Sequence, residues 1–196
     1  MIFLDLVHDL QQSYKNDMIV EKNGTLLLAP GSVPKARHIL YRKLSLDELN
    51  ECLINNYKNS FPKQYAELLT GFNGMNLFRA KMITEKFEFS SSFLTIFGFP
   101  RTPPSKRPPD EDEPFDVRIE DFDSPETIPS AWLRCGRYKT VLGYGGEADI
   151  YIDTTDEHVY SCNANTDVVI QKWDDLDECL CSIFEFASKS KTEYKK

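Results

Sequence analysis

The sequence lacks any apolar run close to the roughly 20 residues that a membrane-spanning helix needs. It also lacks a surplus of basic residues: 23 lysines and arginines stand against 31 aspartates and glutamates, a formal net charge of -8. Such a charge disfavours binding to nucleic-acid phosphates and to anionic lipid surfaces. The apolar N-terminus is interrupted by Asp5 and Asp9 and has no basic leading region, so we expect no signal peptide. These absences predict a cytoplasmic protein without a direct nucleic-acid or membrane partner.

The sequence has no cysteine pattern typical of a zinc site or a disulfide framework. Its five cysteines are odd in number and scattered, and they contain no Cys-x-x-Cys pair. None of the three histidines lies near a cysteine at zinc-ligand spacing. We therefore expect buried free thiols in a reducing compartment, and neither a metal ion nor a cofactor.

Residues 61–74 carry the clearest local signal. Pro62 suits the first turn of a helix, where its missing N–H is not needed. Asn73-Gly74 offers left-handed residues that close a helix. The apolar positions between them follow the helical period: Tyr65, Leu68, Leu69 and Phe72. The segment is predicted to be a short amphipathic helix, and it contains no evident catalytic residue.

A second helix signal precedes this one. Ser45 and Glu48 form a capping box, with Leu44 and Leu49 placed as a hydrophobic staple. The helix that follows should end before Ser60. Its predicted buried stripe is Leu46, Leu49, Leu53 and Tyr57. The two helices together predict an αα pair.

Further helices and strands are predicted on both sides of this pair. The N-terminal part predicts a helix over residues 2–14 and a hairpin of 18–20 with 25–29 around an Asn-Gly turn. Residues 93–99 are apolar on both faces and favour a central strand. The C-terminal part predicts a helix from the N-cap Asp174 to Ala187. The strands predicted before that helix are 132–135, 141–143, 149–153 and 159–162, and residues 153–158 are predicted to join the last two as a hairpin.

A proline-rich and then acidic segment interrupts the strand pattern between residues 100 and 126. Its prolines exclude a regular helix or strand over most of 100–114. The segment contains Arg101, Lys106 and Arg107 and continues with four consecutive acids at 110–113. We interpret it as an exposed loop inserted into the sheet.

The order of these motifs resembles the SUKH superfamily, which includes Smi/Knr-type regulators and many bacterial immunity proteins. The resemblance rests on the proline–tyrosine–leucine helix, the Asn-Gly pair and apolar strand that follow it, and the C-terminal series Gly143–Gly146, Asp149, Val159-Tyr160 and helix. It implies an α+β fold, in which helices pack against a curved, mixed, mostly antiparallel sheet. It also implies a single domain over residues 1–196. Its parts would be a family core at about 45–187, an N-terminal extension at 1–44 and the insertion at 100–126.

The resemblance further implies a binding protein that is not an enzyme. Bacterial members resemble immunity proteins, or antitoxins, that neutralise a cognate protein toxin, often a nuclease. Smi/Knr-type members are similar to regulatory or scaffolding interaction modules, which is the alternative function. The free protein is expected to be a monomer or a weak dimer.

The acidic loop is the candidate binding surface. An acidic protein can cover a basic cleft by charge complementarity, which speeds association and favours the right partner. The residues expected to bind a partner are Asp110, Glu111, Asp112, Glu113, Phe115, Asp121, Phe122 and Asp123. A solvated loop that only keeps the protein soluble is the alternative interpretation of the same charge run.

Three other patterns leave catalysis open. The Gly143–Gly146 segment has neither P-loop nor dinucleotide-binding spacing and is interpreted as a tight turn. Glu147, Asp149, Asp153 and Asp156 are a weak candidate metal site, since carboxylates at strand ends are more often turn residues. A cysteine–histidine nucleophile pair would need a proximity that the sequence does not show, and no cysteine is marked as activated.

Overall fold

The computed structural model describes residues 1–31, 36–56, 61–83, 88–100, 113–114, 128–140 and 146–190. The helices in this part of the chain are α1 (Ile2–Ser13), α2 (Leu46–Asn56), α3 (Lys63–Gly71) and α4 (Leu176–Ser190). The strands are β1 (Met18–Val20), β2 (Leu26–Pro30), β3 (Ala36–Leu40), β4 (Met75–Leu77), β5 (Ala80–Ile83), β6 (Glu88–Ser91), β7 (Leu94–Ile96), β8 (Trp132–Lys139), β9 (Glu147–Asp153), β10 (Val159–Asn163) and β11 (Val169–Trp173).

Nine of these strands form one sheet in the order β1-β2-β3-β4-β7-β8-β9-β10-β11. Every pairing among the described strands is antiparallel, including the separate hairpin of β5 with β6. The predicted α+β class with a mostly antiparallel sheet is therefore confirmed. Residues 1–44 contribute β1, β2 and β3 to this same sheet, so the N-terminal extension is part of the main fold.

The helices cover one face of the sheet. Alternate strand residues such as Leu28, Leu94 and Ile150 join side chains of all four helices in one large core. Successive residues of a strand point to opposite sides of the sheet. A smaller apolar cluster that includes Leu27 and Ile39 therefore lies on the other side. We call this second side the outer face.

The apolar stripe predicted for α3 is confirmed. Tyr65, Leu68 and Leu69 are completely buried. The Tyr65 hydroxyl lies 3.0 Å from the carbonyl oxygen of Phe97 and 3.3 Å from that of Cys135, so these two acceptors share its single proton. A buried hydroxyl needs such acceptors. The stripe thus fixes α3 to the chain around β7 and β8.

The predicted end of this helix is wrong. α3 ends at Gly71, and Phe72 is already extended, with φ -146° and ψ 129°. Gly74 has a positive φ of 85°, but it lies between the helix and β4 and does not cap the helix. A Cβ atom at Gly74 would lie 2.7 Å from the carbonyl oxygen of Ile96. Both the left-handed backbone and the close strand therefore require glycine there.

The capping box predicted for α2 is confirmed. The Ser45 N–H donates to Glu48 Oε2 at 2.8 Å, and the Glu48 N–H donates to Ser45 Oγ at 3.2 Å. The hydrogen bond from the Ser45 backbone lowers the pKa of the Glu48 carboxyl. The prediction that Leu46 is buried is wrong: this first helical residue is exposed, because the staple residues Leu44 and Leu49 face the core. Leu49 is buried and Leu53 is half-buried against the core, as predicted, whereas Tyr57 lies outside the described residues.

The predicted N-cap of α4 is wrong by one residue. Asp175 caps the helix, because its Oδ1 accepts the Glu178 N–H at 2.8 Å, whereas Asp174 donates its own N–H to the Glu178 carboxylate at 3.1 Å. The N–H groups of Leu176 and Asp177 both donate to one side-chain oxygen of α3, that of Gln64, at 2.9 and 3.2 Å. The start of α4 is thus fixed to α3.

The hairpins β1–β2 and β9–β10 and the central position of β7 agree with the sequence predictions. Two strands of the sheet, β3 and β11, were not predicted, and the sequence left open whether residues 75–78 form a strand, which the structure shows as β4. β3 pairs with β2 and β4, and β11 pairs with β10. The predicted strand at 141–143 and most of the 100–126 segment lie outside the described residues.

Candidate functional site

Most of the predicted partner-binding residues lie outside the part of the chain that the structure describes. These residues are Asp110, Glu111, Asp112, Phe115, Asp121, Phe122 and Asp123. Glu113 is described and is half-buried, and Pro114 beside it is buried. The acidic segment therefore packs against the folded protein at Pro114.

Charged and aromatic side chains lie together on the outer face of the sheet between β8 and β11. The strand register places Arg134 opposite Tyr151, Tyr151 opposite Tyr160, and Tyr160 opposite Lys172. We call the following residues the outer-face cluster: Trp132, Arg134, Arg137, Glu147, Asp149, Tyr151, Asp153, Tyr160 and Lys172. Its three basic and three acidic side chains leave it without net charge.

Asp149 holds the charged part of the outer-face cluster together. Its side chain is 7% exposed, and its Oδ1 accepts hydrogen bonds from Arg134 Nη2 and Arg137 Nε, each 2.7 Å long. Its Oδ2 accepts from Arg137 Nη2 at 3.2 Å. Glu147 is more exposed and accepts from Arg137 Nη1 at 3.1 Å. Hydrogen bonding to Asp149 is the main reason that the pKa of Arg137 is raised.

A bulge in β8 makes this arrangement possible. Arg134 lies opposite Tyr151 and Gly136 lies opposite Ile150, so Cys135 is an extra residue in β8. Residues three apart would lie on opposite faces of a regular strand. The bulge instead brings both arginines of β8 to the outer face, where one carboxylate of β9 accepts hydrogen bonds from both.

Among the aromatic residues of the cluster, Trp132 and Tyr160 are half-buried and Tyr151 is buried. The rings of Trp132 and Tyr160 stack with centroids 4.1 Å apart and planes 15° from parallel. The Lys172 ammonium lies 5.5 Å from the centre of the Tyr160 ring, a cation–π distance. Trp132 Nε1 donates to Asp153 Oδ2 at 3.0 Å. Aromatic side chains of this kind are enriched at protein interfaces, so this part of the face suits contact with another protein.

The carboxylates considered as a metal site each have a partner. Asp149 binds two arginines, and Asp153 Oδ1 accepts both the N–H and the hydroxyl of Thr155, at 2.9 and 2.6 Å. Asp156 lies 2.7 Å from His158 Nδ1, and its pKa is lowered mainly by the hydrogen bond from the His158 backbone. Across the described ranges, no three histidine, cysteine or carboxylate side chains are grouped so that they could hold a metal ion.

The cysteines form no disulfide with one another, and the predicted burial is confirmed for Cys135, Cys162 and Cys179 but not for Cys52 and Cys181, which are half-buried. Burial raises the pKa of the Cys135 and Cys179 thiols far above the usual value. It also raises the pKa of Cys162 and of Cys181 to about 11. Because the thiolate is the reactive form, these four thiols are poor nucleophiles at neutral pH.

Both edge strands of the nine-stranded sheet have exposed apolar residues. At the β11 edge, Val169 and Ile170 of the strand are 49% and 48% exposed, and Val168 just before it is 64% exposed. Ile19 and Val20 of β1 are exposed at the other edge. The β11 edge was not predicted from the sequence. The sequence does contain a strand signal there, because three consecutive β-branched residues follow an asparagine-rich turn.

Comparisons with models of known protein families, with curated proteins and with solved structures find no match. Among the helices in the described ranges, none has both the length and the apolar character needed to span a bilayer.

Proposed function

We propose that this chain is a non-enzymatic binding protein of the SUKH type, which binds and neutralises a cognate protein toxin such as a basic nuclease. The observation that supports this function best is the distribution of charge. Residues 110–123 contain eight acidic residues and one basic residue, which is seven of the eight net negative charges of the chain. The remainder of the chain is close to neutral, and the outer-face cluster has no net charge.

A concentrated charge of this kind directs association. Complementary charges raise association rates by about 10- to 1,000-fold, and the effect falls with ionic strength. Phe115 and Phe122 lie between the acids in the sequence. Buried aromatic residues commonly supply most of the binding energy at the centre of an interface. In this proposal the acids guide a basic partner to the segment and the two phenylalanines hold it.

One observation on the described residues bears on this surface. Pro114 is buried beside the half-buried Glu113, so the acidic segment contacts the folded protein at this point. The five cysteines form no disulfide with one another, which fits a complex formed in a reducing compartment.

The proposal is tested by affinity capture with the tagged full-length protein from a lysate of its source cells, washed at low and at high salt. The neutralised variant carries Asp110→Asn, Glu111→Gln, Asp112→Asn and Glu113→Gln. The matched control loses the same charge from exposed residues elsewhere, by Asp9→Asn, Asp17→Asn, Glu51→Gln and Glu185→Gln. We expect one stoichiometric basic partner that the neutralised variant loses and the control retains.

The captured partner is then purified and expressed. Its association rate constant with the neutralised variant should be at least about tenfold lower at low salt, and within about twofold of wild type for the control. The partner alone should inhibit cell growth, and co-expression of this chain should relieve the inhibition. Several weak partners without growth inhibition would instead indicate a regulatory or scaffolding module. Unchanged binding by the neutralised variant would refute the acidic segment as the binding surface.

A further inference from the structure

The chain contains two Asn-Gly pairs, Asn23-Gly24 and Asn73-Gly74, in very different surroundings. We propose that Asn23 is a site of spontaneous deamidation, and that the fold confines this modification to Asn23 by holding Asn73 in the core. An asparagine before a glycine is chemically labile, because glycine has no Cβ atom to hinder attack of its backbone nitrogen on the asparagine side chain. The proposal goes beyond toxin binding and does not depend on it.

The reaction at Asn23 needs only this chain and water. The backbone nitrogen of Gly24 loses its proton and bonds to Asn23 Cγ. The Cγ–Nδ2 bond then breaks, and the side-chain nitrogen takes up a proton and leaves as ammonia. The product is a cyclic imide, a succinimide. Water opens this ring at Cγ, which gives aspartate, or at the main-chain carbonyl carbon of residue 23, which gives isoaspartate.

The hairpin between β1 and β2 presents Asn23 in a favourable geometry. The residue is half-buried at the hairpin tip, and its side-chain oxygen accepts the Thr25 N–H at 2.9 Å. This Asx turn folds the side-chain carbonyl group back over the following backbone. The Thr25 N–H polarises the carbonyl group that is attacked and stabilises the negative charge that develops on its oxygen. Asn23 is thus prepared for attack by the next residue.

One hydrogen bond must open before the attack. The Gly24 N–H donates to the Glu21 carbonyl oxygen at 2.9 Å, so the attacking nitrogen is engaged in the closed turn. Opening of a hairpin tip is a local event, and it costs far less free energy than opening of the core. The turn therefore slows the reaction at Asn23 but does not prevent it.

The second pair is held from both sides. Asn73 is 2% exposed, its Nδ2 donates to the Phe99 carbonyl oxygen, and its Oδ1 accepts the Phe99 N–H, each at 2.8 Å. The Gly74 N–H donates to the Phe72 carbonyl oxygen at 2.8 Å. Ring closure at Asn73 would break both side-chain hydrogen bonds and move closely packed backbone, so it requires opening of the core.

The two products at residue 23 have different consequences. Aspartate keeps an oxygen that can accept the Thr25 N–H, so the hairpin stays closed. Isoaspartate lengthens the main chain by a methylene group at the tip, where the turn sets the register of the hairpin. The strand β1 has three residues and, among the described strands, pairs with β2 alone. Isoaspartate should therefore release β1 from the edge of the sheet.

The modification is measured by incubating the full chain at neutral and alkaline pH, both folded and in concentrated urea. Peptide mapping by mass spectrometry that separates asparagine, aspartate and isoaspartate follows each pair over time. In urea, both pairs should convert at similar rates. In the folded protein, Asn23 should convert within about tenfold of its rate in urea and Asn73 at least about a hundredfold more slowly than in urea. The rate at Asn23 should rise with pH, because the Gly24 nitrogen must lose its proton.

A matched variant and hydrogen exchange test the assignment and its consequence. Asn23→Ser has no carboxamide but keeps a side-chain oxygen for the Thr25 N–H, so the folded variant should release no ammonia. The amide hydrogens of β1 should exchange at least about tenfold faster in the purified isoaspartate form than in wild type or in freshly prepared Asn23→Asp. An unchanged Asn23 in folded protein while it converts in urea, an Asn73 that reacts as fast as Asn23, or unaltered exchange in the isoaspartate form would each overturn the inference.

Discussion

Replacement of Asp149 by asparagine tests whether one buried carboxylate holds the outer-face cluster together. The change removes a charge that is 7% exposed and that accepts three hydrogen bonds from two guanidinium groups. A hydrogen bond to a charged group contributes about 1.5–3 kcal/mol, but Arg137 is 38% exposed and solvent screens its share. Arg134 is 19% exposed and loses the carboxylate that accepts its hydrogen bond. We therefore expect the free energy of unfolding to fall by about 2–3 kcal/mol.

Glu147→Gln is the matched control, because Glu147 binds the same Arg137 from a position that is 42% exposed. This change should lower the free energy of unfolding by about 0.5 kcal/mol or less. Both variants are measured by urea unfolding at neutral pH, followed by fluorescence and circular dichroism. High salt should remove most of the Glu147→Gln effect and little of the Asp149→Asn effect. A loss below about 1 kcal/mol for Asp149→Asn, or one equal to that of the control, would refute the reasoning.

Three further outcomes are expected from the local structure. Gly98→Ala should lower the free energy of unfolding by about 3 kcal/mol or more in the same urea assay, because its Cβ would lie 2.2 Å from the carbonyl oxygen of Asn73. In native protein, Ellman's reagent should leave Cys135 unmodified and should react slowly with the half-buried Cys181, faster as the pH approaches the Cys181 pKa of about 11. Glu48→Gln should lower stability by about 0.5 kcal/mol at neutral pH and by nothing in acid. The reason is that the folded-state pKa of Glu48 is lowered: its contribution is present above the unfolded-state pKa and is lost as the pH falls through the folded-state pKa.

Each of these outcomes has a control. Gly31→Ala should cost only about 1 kcal/mol, since φ is 81° there and no atom lies within 4 Å of the added Cβ. Equal losses for the two glycine variants would contradict the steric argument. All five cysteines should react in urea, and rapid modification of Cys135 in native protein would contradict its burial. Ser45→Ala should remain destabilising in acid, because its hydroxyl still accepts the Glu48 N–H. An effect of Glu48→Gln that does not change with pH would contradict the lowered pKa.

Structural elements could be predicted where the residues that specify them lie within a few positions of each other in the sequence. The capping box of α2 joins residues three apart, and the stripe of α3 repeats within nine residues, so local chemistry was enough to identify both. The boundaries were less predictable. α3 ends at Gly71, and the extended Phe72 leads the chain towards β4. Asn73-Gly74 belongs to this connection, because Gly74 must pass close to the carbonyl oxygen of Ile96.

The charged part of the outer-face cluster could not be predicted for a different reason. Arg134 and Arg137 reach Asp149 across 15 and 12 residues of sequence, and they share a face only because of the bulge between Arg134 and Gly136. A prediction from sequence assumes that side chains alternate strictly between the two faces of a strand. This assumption places Arg134 and Arg137 on opposite faces of the sheet. The sequence could therefore indicate the strands but not this group of side chains.

Composition and local pattern by themselves determined the α+β class, the free thiols, the helices α1 to α4 and the concentration of negative charge at residues 110–123. These properties depend on residues that are close together along the chain. The tertiary structure alone decided that residues 1–44 supply three strands of the main sheet, that Asp149 holds the outer-face cluster, and that β11 lies at an edge of the described sheet. Strand order decides such features, because it sets side by side segments that are far apart in sequence.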